Sequence, residues 1–136
     1  MFSSDTKIRV RYAETDQMGT VYHSNYFYYF EAARAEAIRD LGFTYAEMEE
    51  MGILMPVVDL QASFQRPAFY DDLLTVKTYL KELPSDHKIE FHHEVFNEKK
   101  KLLCTGKISF FFLEKGTRKK ISIPDHLKKN LEHYFQ

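Results

Sequence analysis

The chain lacks most of what would staple, anchor or repeat it. It holds a single cysteine, Cys104, so no internal disulfide can form, and it has no tryptophan. An unpaired thiol suits a reducing compartment, and a cytoplasmic location is expected. Glycine (5) and proline (4) are sparse, and no internal repeat, low-complexity segment or linker is found. No apolar run approaches the ~20 residues of a membrane-spanning helix, and no basic start leads into an apolar signal segment. Neither sign of charge dominates, with 19 Lys plus Arg against 20 Asp plus Glu and a formal net charge of −1. A dedicated nucleic-acid binder would show a basic stripe, so that class is set aside.

Several kinds of chemistry lack their residues. His92 and His93 are neighbours in an expected strand and point to opposite faces, so they cannot readily share a metal. No other Cys/His spacing suggests a zinc site, and no metal is expected. There is no Gly-rich phosphate loop and no Gly-x-Ser-x-Gly elbow. Cys104 could be read as a nucleophile, but the alternation Leu102, Cys104, Gly106, Ile108, Phe110 favours a core residue.

What the chain does have is apolar and aromatic bulk. Its 136 residues are 44% hydrophobic, with twelve Phe and nine Tyr, which is ample for one core and fits a single domain over residues 1–136. Lys7 to Tyr12 alternates as a half-buried strand. A long helix is expected from Ser24 or Asn25 to Leu41, with Tyr26, Tyr29, Phe30, Ala33, Ala37 and Leu41 as its apolar stripe and Gly42 as its stop. Its aromatic first turns, Tyr26 to Phe30, read as buried nearly all round. Thr44 and Glu47 have capping-box spacing ahead of a short helix, Tyr45 to Met51.

Strand signals then take over: Ile53 to Phe64, Leu73 to Leu80, Ile89 to Phe96 and Leu102 to Leu113. Turns are expected at Pro67 with Asp71-Asp72, at Pro84-Ser85-Asp86 and over Asn97 to Lys100. A basic loop, Gly116 to Lys120, precedes a last helix from Asp125 to Tyr134 behind Pro124. This order means an α+β fold with an antiparallel sheet joined largely by hairpins.

The most informative segment runs from Tyr12 to Tyr26, YAETDQMGTVYHSNY. It sets one carboxylate, Asp16, in a short Gly-containing loop between a strand and the long helix. The N–H groups of the helix start have no acceptor inside the helix, so they can stabilise developing negative charge. A carboxylate facing such a terminus can support acyl transfer. The plain alternative is a turn-stabilising aspartate. An aspartate has an unperturbed pKa of ~3.9 and is ionised at neutral pH unless burial raises it.

The pattern Tyr-x-x-x-Asp-x-x-Gly-x-Val-Tyr-His-x-x-Tyr resembles the hotdog-fold acyl-CoA thioesterases, in their 4-hydroxybenzoyl-CoA thioesterase and YbgC/FadM-like branch. Glu31-Ala32-Ala33-Arg34, Pro56-Val57-Val58, Arg66-Pro67-Ala68 and Tyr70-Asp71-Asp72-Leu73 extend the resemblance, which fades near Leu113. It implies a curved antiparallel sheet wrapped around one long central helix, and a catalytic Asp16 that attacks the thioester or activates a water. It implies a carbonyl polarised at the backbone of His23, whose imidazole can also orient or protonate the departing group.

Gly19 would let the loop pass close to the ligand, and Tyr12, Tyr22 and Tyr26 would line the acyl pocket or pack the loop. Arg66, Lys88 and the Arg118-Lys119-Lys120 cluster are candidates for the phosphates of coenzyme A. No cofactor is implied, since coenzyme A is part of the substrate. The thiol partner could be an acyl-carrier protein. A homodimer or homotetramer with the site at a subunit contact is expected. Glu31 and Arg34, three apart on the helix, read as an ion pair, with Glu31 the alternative working carboxylate. The rival functions are an acyl-thioester hydratase or dehydratase, using Asp16 with His23, and a non-catalytic acyl-CoA or carrier-protein binding module.

Overall fold

The computed structural model describes residues 1–84 and 86–136. Ser85, the middle of one expected turn, lies outside the described residues. Strand β1 (Phe2–Arg9) leads through a 3-10 turn (Tyr12–Glu14) to the long helix α1 (Asn25–Asp40) and the short helix α2 (Tyr45–Glu50). Strands β2 (Ile53–Leu54), β3 (Val57–Phe64), β4 (Leu73–Leu80), β5 (Lys88–Phe96), β6 (Leu102–Phe111) and β7 (Leu113–Glu114) follow. Helix α3 (Asp125–Glu132) and a 3-10 turn (His133–Phe135) close the chain. Five strands form an antiparallel sheet in the order β1-β4-β5-β6-β3, and β2 pairs with β7 as a separate ribbon.

Helix α1 packs across one face of this sheet because its apolar residues recur at helical spacing. Tyr26, Tyr29, Phe30, Ala33, Ala37 and Ile38 are buried with Leu41 beyond the helix end. The sheet answers with period-two alternation: Leu74, Val76, Thr78 and Leu80 of β4, and Ile89, Phe91, His93 and Val95 of β5, all face inward. Helices α2 and α3 close one end of the core through Met48, Leu127 and Leu131. The Thr44 side chain caps α2, accepting the Glu47 N–H at 3.1 Å.

Several expectations are corrected. β1 starts at Phe2 rather than Lys7 and ends at Arg9, which leaves Tyr12 in the 3-10 turn. Its first half carries no apolar alternation and is strand because β4 pairs with it from Phe2↔Leu80 to Arg9↔Leu73. The expected strand from Ile53 breaks at Met55-Pro56, and that from Leu102 breaks at Phe112. Proline has no N–H for a ladder, so the first break falls where one is expected. The last helix ends at Glu132.

The start of α1 is not apolar all round, since Tyr28 is exposed. Glu31 and Arg34 form no ion pair. Arg34 instead turns inward and is buried, with its Nε donating to the Tyr45 hydroxyl at 3.1 Å and its Nη1 3.4 Å from His93 Nε2. Its guanidinium also lies over the Phe110 ring at 5.0 Å.

Candidate active site

The Asp16 loop is a tight hairpin connection. Thr15 and Val21 bridge across it, Asp16 N–H donates to Thr20 O at 2.9 Å, and Gly19 N–H donates to Asp16 O at 3.0 Å. Closing a three-residue connection in this way needs a left-handed residue, and Gly19 supplies it with φ +76°. A methyl group at Gly19 would meet nothing within 4 Å, so the glycine serves the turn rather than a tight contact within the chain. The Val21 N–H donates to Ala68 O at 2.9 Å, tying the loop to the segment after β3.

The two oxygens of Asp16 are not equivalent. Oδ1 accepts the Met18 N–H at 2.9 Å, the Thr20 N–H at 3.3 Å and the Thr20 hydroxyl at 3.3 Å. Oδ2 has only a 3.5 Å contact with that hydroxyl. The turn-stabilising reading is therefore seen, on one oxygen. The other oxygen takes no part in holding the turn beyond that long contact.

Across the loop, the chain enters α1 through His23 and Ser24. Asn25 N–H donates to Tyr22 O, Tyr26 N–H to His23 O and Phe27 N–H to Ser24 O. Among the described residues, the N–H groups of His23 and Ser24 have no protein acceptor. They are the donors left over at a helix start. The His23 ring tilts against Tyr22, centroids 4.3 Å apart, and meets the edge of Phe64 at 6.4 Å. No hydrogen bond joins it to Asp16 among the described residues.

Asp16, Thr20, Tyr22, His23, Tyr26 and Arg66 share one open cleft of about 400 Å³, completed by Met18, Val21 and Phe64 to Pro67. The Tyr26 ring stands edge-on to Phe64 at 5.4 Å, and burial pushes its hydroxyl up to about 12. The cleft lining thus combines apolar Met18, Val21, Tyr26 and Phe64 with the Asp16 carboxylate, the helix-start residue His23 and the Arg66 guanidinium. Such an arrangement can hold an acyl group, attack its carbonyl and stabilise the oxyanion.

Other sequence candidates lie elsewhere. Tyr12 is 77% exposed and stands edge-on to Tyr70, outside the cleft. Lys88 lies at the start of β5 in a different cleft with Lys81, Asp86, Glu90 and His92. Arg118, Lys119 and Lys120 are exposed on the loop after β7. Glu31 is exposed and absent from the cleft.

Sequence reasoning missed Thr20, Phe64 and Glu14. Glu14 accepts the Tyr29 hydroxyl at 2.8 Å, the Arg11 N–H at 2.8 Å and the Arg11 guanidinium at 3.0 and 3.1 Å. Burial would raise its carboxyl, but these donors outweigh it and hold the group below the usual range. Burial, and then the same bond to Glu14, drive the Tyr29 hydroxyl upward. No spacing rule reports a contact fifteen residues long. Only the short Arg11–Glu14 pair left a sequence trace.

A helix on a five-stranded antiparallel sheet, with a carboxylate loop at the helix start, is the arrangement expected of a hotdog thioester hydrolase. The model of the thioesterase-like superfamily matches residues 10–131, and the chain belongs to that family. YneP of Bacillus subtilis is 38% identical over 121 residues, covering 89% of this chain and 87% of that protein. The acyl-CoA thioesterase YbgC of Haemophilus influenzae is 31% identical, covering 93% of this chain and 92% of its own length. Among solved structures, the DHNA-CoA thioesterase of Staphylococcus aureus superposes with a TM-score of 0.84 at 40% identity, over 99% of this chain and 85% of that one.

Proposed function

We propose that this protein hydrolyses acyl-coenzyme A thioesters in the cleft between the Asp16 loop and the start of α1, releasing a free acid and coenzyme A. The observation that carries this reading is the asymmetry of Asp16. Oδ1 is held by the loop while Oδ2 keeps only a 3.5 Å contact, and Asp16 shares its cleft with His23, whose N–H has no protein acceptor among the described residues. Oδ2 can attack the thioester carbon or take a proton from the water that does. In either case the carbonyl oxygen gains charge, the helix-start amides stabilise it, and the thiolate departs. Losing one such donor typically costs about 2.7–4 kcal/mol of barrier. The His23 imidazole, packed on Tyr22 and Phe64, can orient or protonate the departing group. The route uses no cofactor or metal.

Arg66 is the cation this cleft offers to the phosphates of coenzyme A. Lys88 would serve only from a second protomer. A homodimer fits the unequal edges of the sheet. β1 ends it with Asp5, Lys7 and Arg9 pointing out, whereas β3 exposes Val57, Val58, Leu60 and Phe64. A charged edge resists pairing, and an apolar one invites it. Pairing β3 with its copy would be a two-fold contact that closes the cleft, because Phe64 and Arg66 lie at the end of that strand. Among the described residues, no helix is long and apolar enough to cross a membrane. A reducing cytoplasm suits the single cysteine.

The test is thiol release from acetyl-, palmitoyl- and benzoyl-CoA by the purified full chain. Release from at least one supports hydrolysis, and the preferred acyl group describes the pocket. Hydration of an unsaturated acyl-CoA without thiol release would favour the hydratase reading instead.

A further inference from the structure

Every side-chain partner of Asp16 lies in its own loop. The spacing of Asp16 from the helix start therefore depends on contacts made by other residues, among them the bond from the Val21 N–H to Ala68 O. Glu14, at the end of the 3-10 turn just before this loop, is bonded both to the segment entering α1 and to α1 itself. Its backbone oxygen accepts the Tyr22 N–H at 2.9 Å and the Asn25 side-chain amide at 2.9 Å. Its carboxylate accepts the Tyr29 hydroxyl, one turn further along α1, at 2.8 Å. Thr15 alone separates Glu14 from Asp16.

We infer that Glu14 is a positioning residue, which through Asn25 and Tyr29 sets the Asp16 loop against the start of α1. Glu14 is not part of the cleft lining, so it acts through Asp16 and not on the substrate. Its side chain is 12% exposed, and a carboxylate taken that far from water needs its hydrogen bonds to offset the lost hydration. A surface glutamate that served solubility would not be drawn in against a buried tyrosine. The inference rests on the reading of Asp16 as the working carboxylate.

The two Glu14 oxygens divide the task. Oε1 takes both the Tyr29 hydroxyl and the Arg11 N–H, while Oε2 takes only the exposed Arg11 guanidinium. A glutamine with its carbonyl at the Oε1 position keeps the first two bonds. Alanine keeps neither. The positioning role therefore predicts rescue by the uncharged, acceptor-bearing residue.

The experiment is steady-state hydrolysis of whichever acyl-CoA of the panel turns over fastest, with circular dichroism on each protein. The full-length variants are Glu14→Gln, Glu14→Ala, Tyr29→Phe and Asp16→Asn. Glu14→Ala is expected to lower kcat by about 10²-fold, the scale of an ångström-size misplacement. Its KM should stay within roughly threefold, because binding contacts are untouched. Tyr29→Phe should fall in the same direction by less, and Glu14→Gln should stay within roughly threefold of wild type.

A folded Glu14→Ala with wild-type kcat would overturn the inference, and so would Glu14→Gln as impaired as Glu14→Ala. Should Glu14→Ala fail to fold, Tyr29→Phe decides: a folded variant at the wild-type rate overturns it. Asp16→Asn at the wild-type rate would remove the site reading and this inference together. Asp16→Asn inactive with Glu14→Ala unaffected would remove this inference alone.

Discussion

Phe30 of α1 lies flat on His93 of β5, ring centroids 4.8 Å apart and planes 6° from parallel. Gly106, the cross-strand partner of His93, leaves the space that the Phe30 ring edge occupies. A methyl group on Gly106 would come within 2.5 Å of Phe30 Cε2 and 2.7 Å of Cζ. The helix therefore sits on the sheet at a height set by a missing side chain. Gly106→Ala should destabilise the fold by about 1–3 kcal/mol, the cost of overpacking a closed core. A urea midpoint unchanged from wild type would contradict this.

The same stack has a consequence in pH. Burial, then Arg34 and His92, push His93 down to about 3. In the unfolded chain it would take a proton near 6.5, so between 6.5 and 3 the unfolded state binds more protons. Stability is then full above 6.5 and falls as pH drops through that window, at a slope approaching about 1.4 kcal/mol per pH unit. His93→Gln should flatten this slope relative to wild type. Parallel slopes in both proteins, from urea melts at pH 7, 6 and 5, would contradict it.

Cys104 lies fully buried on β6, where burial pushes its thiol up to about 12. The thiolate is the reactive form, so a disulfide reagent at pH 8 should leave the native protein unlabelled and modify it only in denaturant. Fast labelling of the native protein would contradict the core assignment.

The exposed apolar edge of β3 predicts an outcome for Leu60, which is 42% exposed in the isolated chain. Leu60→Glu places a charge on the face where the proposed partner strand would pack. The wild type should run as a dimer or tetramer in sedimentation and this variant as a monomer, with thiol release falling at the same time. A monomeric wild type with full activity would contradict the interface.

How much of this the sequence discloses depends on the range of each interaction. The α1 stripe from Tyr26 to Ala37 and the alternation in β4 and β5 are periodic signals within single elements, and they appear where expected. The Tyr12-to-Tyr26 segment carries its own turn, so Asp16, Tyr22, His23 and Tyr26 reach one cleft. Partners chosen across the fold leave no local trace. β1 begins at Phe2 because β4 is beside it, and the spacing of Glu31 and Arg34 did not show that Arg34 would turn toward Tyr45, His93 and Phe110. Tyr12 belongs to the motif but leans on Tyr70 outside the cleft.

The central claim is that the free oxygen of Asp16 does the chemistry. It is tested most directly by measuring thiol release from one acyl-CoA with wild type and Asp16→Asn side by side, both checked for fold. Asparagine keeps the Oδ1 acceptor that holds Met18 and Thr20 and loses the reactive oxygen, so turnover should fall by about 10²–10⁴-fold. A folded Asp16→Asn protein releasing thiol at close to the wild-type rate would contradict the account.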